Sequence, residues 1–455
     1  MLNAHLHPQV NYFLSLGNAR IAERFVHLHP EVERSAVQTL LTQSPRHFRW
    51  GGADLFHAAS EHGIRRMLVI ETNSCPSGQK SMPRADEMNE QAGYRALLER
   101  AFMPLLGRRG LPSGGLAVLW DKNVMEASGY AATLADLAGE PVWLAPFPDA
   151  PDPPARVADG VLEVRDADDR WHPVRAALRY VTQRPWSRIP PLTRTAMLNP
   201  VLVCLSGGRN KMLAAKAYDL LNAEMAATGL AIHVPETIWD VSRGEIPVWV
   251  ARMGGIAVVK NPYSNAGQGV WTITTPSELE AFMATEQTYD RYIVQALIGN
   301  AGWSSRTAGG RLFHVGTMPD RRGRIYVADL RFVVGAGAEG FFPVALYARR
   351  ARRALAATVG DGHASWDMLG TNLSVRRPDG AWDTETDRLL LVDARDFNQL
   401  GLGLDDLIEG YLQTVLAMTA IDQMAQRLET TKGRFRASLF GSLNPDPALM
   451  AEIMR

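Results

Sequence analysis

Short apolar runs of strand length alternate along this chain with longer stretches of helical period. Arg66-Met67-Leu68-Val69-Ile70-Glu71 predicts a buried strand, and Ala19 to Leu41 predicts a helix ahead of it. Leu116 to Trp120, a helical pattern from about Met125 to Ala138, and Pro141 to Ala145 predict a β-α-β unit and a parallel sheet. A hairpin follows from Val161 to Trp171, turning at Asp166 to Asp169, and then a strand from Ala176 to Val181. The proline-dense segment Gln183 to Pro191 marks a boundary. Beyond it come a helix from Met212 to Ala227 and strands at Val258–Lys260, Tyr292–Ile298, Asp329–Val334, Leu369–Val375 and Leu389–Asn398. An amphipathic helix from Leu407 to Arg427 closes the order, and Phe440 to Arg455 reads as peripheral. This is a mixed α/β (α+β) pattern with no internal repeat.

Composition narrows the class. With 455 residues, 46% of them apolar and 21% charged, the chain can build two or three packed domains. Lys plus Arg and Asp plus Glu both total 48, so the chain has no global basic footprint for a nucleic acid. Two cysteines, Cys75 and Cys204, argue against a disulfide framework or a cysteine-rich zinc site. A reducing cytoplasm is the expectation. No apolar run of bilayer length and no signal-peptide pattern are present, so secretion and membrane insertion are not expected. His5 with His7, and His27 with His29, lack partners at metal spacing and read as ordinary surface histidines.

The most specific chemistry lies in Val258-Val259-Lys260-Asn261-Pro262-Tyr263-Ser264-Asn265-Ala266-Gly267-Gln268-Gly269-Val270, an apolar strand that ends in a lysine and opens into a small polar loop. Gly267 and Gly269 have no Cβ, so the backbone N–H groups of Ser264, Asn265, Ala266 and their neighbours can converge on phosphate oxygens while Lys260 adds charge. A glycine–serine turn in a plain hairpin has the same composition, so the flanks decide. A second polar loop, Glu71 to Pro83, follows a buried strand and offers Asn73, Ser77 and Lys80 as substrate-binding candidates. Cys75 in that loop invites a nucleophile reading.

The flanks are Cys204-Leu205-Ser206-Gly207-Gly208-Arg209-Asn210-Lys211 before a helix, then Tyr292 to Ile298, Asp329-Leu330-Arg331, and Leu389 to Asn398. In order and spacing, from about Leu205 to Gln426, these elements resemble the ATP-grasp superfamily of ADP-forming ligases. The resemblance implies two α+β lobes enclosing ATP, preceded by a Rossmann-like pre-ATP-grasp domain. The implied boundaries are 1–190, 191–290 with the glycine-rich loop, 291–430 with the metal site, and a peripheral 431–455.

Residue by residue, the resemblance makes Lys211 and Lys260 the phosphate-binding lysines and Gln295, Ala296 and Leu297 the adenine-binding hinge. It implies that Arg331 contacts the transferred phosphate and the acyl intermediate. Of the arginines in Ala348 to Arg353, Arg349 or Arg350 faces substrate, with Arg350 taken as the candidate. Asp396 and Asn398 become Mg²⁺ ligands. The family more often shows Glu-x-Asn there, so Asp393 competes for the first place, and Asn372 stands where a further acid is usual. Because the family activates carboxylates as acyl phosphates, Cys75 has no catalytic task.

The implied activity is Mg²⁺-ATP-dependent joining of a small-molecule carboxylate to an amine, as in amino-acid and peptide ligases of natural-product pathways. Open alternatives are a carrier-protein thiol as acceptor, a phosphorylated enol from a ketone substrate, or a non-catalytic ATP-binding module. No nucleic acid or membrane partner is expected, and dimers are common in the superfamily.

Overall fold

The apolar alternation from Trp50 to Asn73 folds as an antiparallel hairpin of β1 (Trp50–Ser60) and β2 (Arg65–Asn73) in the computed structural model, which describes residues 4–83, 92–263, 269–359, 364–376 and 382–454. Ahead of it, the predicted helix is divided into Gly17–Leu28 and Arg34–Thr42. Pro30, in the gap, cannot donate to a continuing helical ladder.

β3 (Gly115–Trp120), the helix Val124–Ala138 and β4 (Val142–Pro146) form the expected β-α-β unit, with β3 and β4 parallel. With β5 (Ala155–Ala158), β6 (Val161–Arg165), β7 (Trp171–Tyr180) and β8 (Ala196–Leu198) they make a mixed sheet of order β4-β3-β7-β6-β5, β8 lying parallel on β7. The β6–β7 hairpin turns at the predicted aspartates, where the Asp166 carboxylate accepts from the N–H groups of Asp168 and Arg170.

After the helix Lys211–Met225 comes a smaller antiparallel sheet of β9 (Thr237–Ser242), β10 (Ala257–Lys260), β11 (Val270–Ile273) and β12 (Arg291–Gln295), ordered β11-β10-β12-β9. Val250 and Phe282, from the helices Ile246–Arg252 and Pro276–Ala284, pack against its Val259, Tyr292 and Val294.

The third sheet draws on both ends of the chain. β13 (Leu312–His314), β14 (Ala328–Gly337), β15 (Gly340–Arg350) and, past the ribbon of β16 (Ser374–Arg376) and β17 (Trp382–Thr384), β18 (Leu389–Leu390) join β1 in the order β13-β1-β14-β15-β18. β2 pairs with β1 at the side. Residues 50–73 therefore belong with residues 312–390, and the unit drawn from 1 to 190 is divided between two sheets. The helix Leu404–Arg427, about 36 Å long, packs against this sheet through Leu407, Tyr411 and Val415, which share a core with Leu55, Leu330 and Phe332. At Gly410 a Cβ would sit 3.1 Å from Leu55, so the missing side chain permits the close approach. With alternate residues of β1 and β14 committed to that helix, Asp54, Asp329 and Arg331 project from the opposite face.

Three expectations change. In place of a strand from Leu369 to Val375 there is a short helix, Ser365–Leu369, before β16. The strand predicted to reach Asn398 stops at Leu390, because the Asp393 carboxylate accepts from the N–H groups of Arg395 and Asp396 and turns the chain. The C-terminal segment is also structural: Asn444 is fully buried, accepts from Asn210 Nδ2 at 2.7 Å and donates to the Tyr263 hydroxyl at 2.5 Å. No helix among the described residues is long and apolar enough to cross a membrane.

Candidate active site

The small sheet, the sheet built on β1 and the turns after β3 and β7 of the mixed sheet face one cavity of about 200 Å³. From the β1–β2 hairpin it receives Asp54, Glu71 and Asn73. Asp54 stands directly opposite Glu71 in the register, and Asn73 follows Glu71 by two residues on the same face. Thr72, between them, points the other way and shares a 2.6 Å hydrogen bond with the Tyr218 hydroxyl. Asn73 is buried, and its Nδ2 has no hydrogen-bond partner among the described residues, which marks it as built to meet something more. Among the described residues no group of three His, Cys, Asp or Glu side chains stands ready for a metal. Two carboxylates and an amide oxygen instead form a sparse oxygen set of the kind that Mg²⁺ can complete with further oxygen ligands.

Two lysines enter beside this hairpin. Lys211 opens its helix, which Asn210 caps by accepting from Leu213 N–H, and its Nζ lies 3.3 Å from Glu71. Lys260 ends β10, and its Nζ donates to Gln295 Oε1 at 2.6 Å. Burial lowers the Lys260 ammonium to about 8; Glu71 opposes that shift and Lys211 adds to it. Lys211 N–H also donates to Pro262 O, which ties the helix start to the root of the loop after β10. Ser264, Asn265, Ala266 and Gly267 lie outside the described residues. Gly269, at φ 65°, returns the chain to β11 in a left-handed conformation that glycine adopts without strain.

Gln295, Ala296 and Leu297 line the cavity as expected for a hinge. Their polar groups are partly committed: Ala296 N–H donates to Glu236 O, while Leu297 exchanges hydrogen bonds with Ser305. Among the described residues, the Ala296 carbonyl and the Ile298 N–H keep no hydrogen bond. That acceptor and donor two residues apart suit the edge of a purine. Ile298, the last residue of the strand predicted from Tyr292, also lines the cavity.

Charge concentrates deeper in the cavity. Arg331 grips Asp54 with Nε and Nη2 at 2.6 and 2.7 Å; Arg349 reaches Asp54 at 2.9 Å and also pairs with Asp329. Burial alone would raise the Asp54 carboxyl, but the two guanidinia overcome it and hold the group well below the usual carboxylate range. Ser77, Lys122, Thr182 and Arg209 line the cavity as well. Lys122, next to the end of the parallel strand β3, has an ammonium lowered by burial and next by Arg209. Glu126 shapes this end: fully buried, it accepts from Gly78 N–H at 3.0 Å and Gln79 N–H at 3.1 Å, fixing the loop that carries Ser77. Gly78, at φ 127°, is required there, since a Cβ would lie 2.0 Å from the Tyr347 ring.

Four candidates fall elsewhere. Asp396 and Asn398 do not line the cavity: they sit in the turn beyond β18, where Asp396 accepts from Leu391 N–H and Asn398 donates to Ala394 O. The expected metal pair is displaced because Asp393 ends the strand early. Arg350 is not in the lining either; side chains alternate along β15, so Arg349 takes the cavity face while Arg350 stacks on Tyr326. Lys80 is exposed and away from the cavity. Asn372 does line it, with its amide donating to Ser374 O. Burial pushes the Cys75 thiol up to about 12, which leaves no thiolate for nucleophilic attack.

No protein-family model matches the chain, and no curated protein matches it. Among solved structures, the chain is similar to a RimK domain ATP-grasp protein from Sphaerobacter thermophilus, at 14% identity over 51% of this chain and 89% of that one, with a TM-score of 0.31. It is also similar to a glutathione synthetase-like effector from Globodera pallida, at 10% identity, 75% and 81% coverage and TM-score 0.36. The D-alanine-D-alanine ligase from Coxiella burnetii matches at 11% identity, 69% and 97% coverage and TM-score 0.26.

Proposed function

We propose that the protein is an ATP-dependent, ADP-forming ligase of ATP-grasp type that activates a carboxylate and joins it to an amine. The observation that carries the reading is the convergence of Lys211, Lys260, the Gln295 to Ile298 hinge, the Glu71/Asn73/Asp54 set and Arg331 in one cavity. Each answers one part of a nucleoside triphosphate: lysines for phosphate charge, hinge backbone for the base, carboxylates for the cation. The Glu-x-Asn pair sought near the end of the chain is Glu71 and Asn73, so the metal-binding hairpin enters the large lobe from the N-terminal side.

In this reading Asp54, Glu71 and Asn73 would hold Mg²⁺, which would supply charge neutralisation to the phosphates. Lys211 and Lys260 neutralise phosphate oxygens, and Arg331, already fixed in direction by Asp54, meets the phosphoryl group in transfer. The substrate carboxylate takes the γ-phosphoryl group and ADP leaves; an amine then attacks the acyl carbon and phosphate departs. Lys122, Arg209 and Ser77 line the end left for acid and acceptor. The enzyme's main contributions are position and charge.

The test is ADP and phosphate release from Mg²⁺-ATP against amino acids and small carboxylates, singly and in pairs, with mass spectrometry of the products. The expected outcome is ADP release that needs two substrates and gives a product lighter than their sum by one water. Formation of AMP overturns the mechanism, and nucleotide binding without turnover on any pair moves the assignment to a binding module.

A further inference from the structure

Away from the nucleotide cavity, a second and larger cleft of about 530 Å³ opens where the segment before β1, the turn after the helix Met103–Leu106 and the loop before β8 meet. The two share no lining residue. Five arginines line the cleft (Arg46, Arg49, Arg108, Arg109 and Arg194), against one carboxylate, Glu429. Glu429 is already engaged by Arg46 at 2.7 Å and His47 at 3.0 Å. Asp422, beneath, is engaged by the backbone N–H groups of Arg46, His47 and Phe48. The side chains of Arg108, Arg109 and Arg194 form no hydrogen bond or ion pair among the described residues.

This concentration is local, because the chain as a whole carries equal numbers of basic and acidic residues. Gathering guanidinia in one cleft costs mutual repulsion: the Arg108 guanidinium is lowered by burial, then by Arg49 and Arg46, with Glu429 opposing. Such a grouping is compensated when an anion lies among the arginines, and the planar fork of arginine matches phosphate oxygens two at a time. The floor differs from the rim: Leu105, Leu111, Leu192 and Met197 give it an apolar surface on which a carbon skeleton can rest.

We propose that this cleft is a receptor for a small, multiply charged, phosphate-bearing anion, held by Arg49, Arg108, Arg109 and Arg194 over the apolar floor. It is separate from the nucleotide cavity, so it stands or fails independently of the ligase assignment.

The test is equilibrium binding of inorganic pyrophosphate and of a hexose bisphosphate to the full chain, to R108A/R109A, and to Lys260→Ala. Arg108 and Arg109 lie in a turn and their side chains make no hydrogen bond or ion pair among the described residues, so the double variant is expected to unfold as the wild type does; R194E provides a second variant on a different loop. The expected result is that both probes bind the wild type and Lys260→Ala alike and lose at least about tenfold in affinity in R108A/R109A and in R194E, since charge-assisted contacts to phosphate are the strong ones. Binding unchanged in the arginine variants, or lost in Lys260→Ala, places the probes elsewhere and overturns the proposal. It is equally overturned if neither probe binds, including the case in which a single-stranded oligonucleotide or an acidic peptide binds instead.

Discussion

Lys260 is held in two opposing ways: its Nζ is buried, which disfavours the charge, while Glu71 favours it. Because burial brings its ammonium to about 8, a nucleotide that binds above that pH must take up a proton with it. Affinity for a Mg²⁺–ATP analogue should therefore be flat below about pH 8 and fall by up to about tenfold per unit above it. Lys260→Arg, which stays charged, should flatten the profile, and a wild-type profile flat well above pH 8 would remove Lys260 from the site. The effect on stability has the opposite sign. The unfolded chain keeps the proton up to the ordinary lysine value of 10.5, so this residue's contribution to stability rises as pH climbs from about 8 towards that value. Asp54 carries a different burden, since among the described residues it is the one carboxylate within ion-pair distance of Arg331. Asp54→Ala leaves a buried guanidinium uncompensated and should lower stability by about 3–5 kcal/mol in urea unfolding; a variant as stable as the wild type would contradict the buried pairing.

At the scale of elements, the proposed function gives the β1–β2 hairpin the metal-binding place that the family resemblance assigns to Leu389 to Asn398. Glu71→Gln should abolish Mg²⁺-dependent turnover and weaken the metal's effect on nucleotide affinity, whereas Asp396→Ala, in its turn beyond β18, should leave both near wild type. The reverse outcome would return the metal site to the C-terminal half. What was legible follows from what is local. Lys211 at a helix start, Lys260 at a strand end and Arg331 alternating with apolar neighbours are periodic features, and the cavity contains all three. Glu71-Thr72-Asn73 is equally a Glu-x-Asn at a strand end, but chain order in the family points to the C-terminal part of the sequence instead. Pairing of β1 with β14 is a long-range event that no local period encodes. Likewise no local period shows that the C-terminal segment docks through Asn444, which joins Asn210, before Lys211, to Tyr263, before the glycine-rich loop. Asn444→Ala should leave those buried partners short of a hydrogen bond, costing about 1–3 kcal/mol and weakening nucleotide affinity, as read by thermal unfolding and analogue titration.

Considered as a whole molecule, the cavity belongs to no single sheet. The N-terminal hairpin supplies Asp54, Glu71 and Asn73, the turn after β3 of the mixed sheet contributes Lys122, the small sheet Lys260 and Gln295, and β14 and β15 supply Arg331 and Arg349. A ligand in it touches regions that could otherwise open separately, and a ligand bound only by the native state stabilises whatever must remain folded to hold it. At about a hundred times its dissociation constant that stabilisation is roughly 2.7 kcal/mol. In calorimetry with a non-hydrolysable Mg²⁺–ATP analogue, every resolved unfolding transition should therefore move to higher temperature together, and Lys260→Ala should abolish the shift. If one transition moved while the others stayed fixed, the nucleotide would be held by a single lobe, and the enclosure on which the proposed transfer of phosphate away from water depends would be lost.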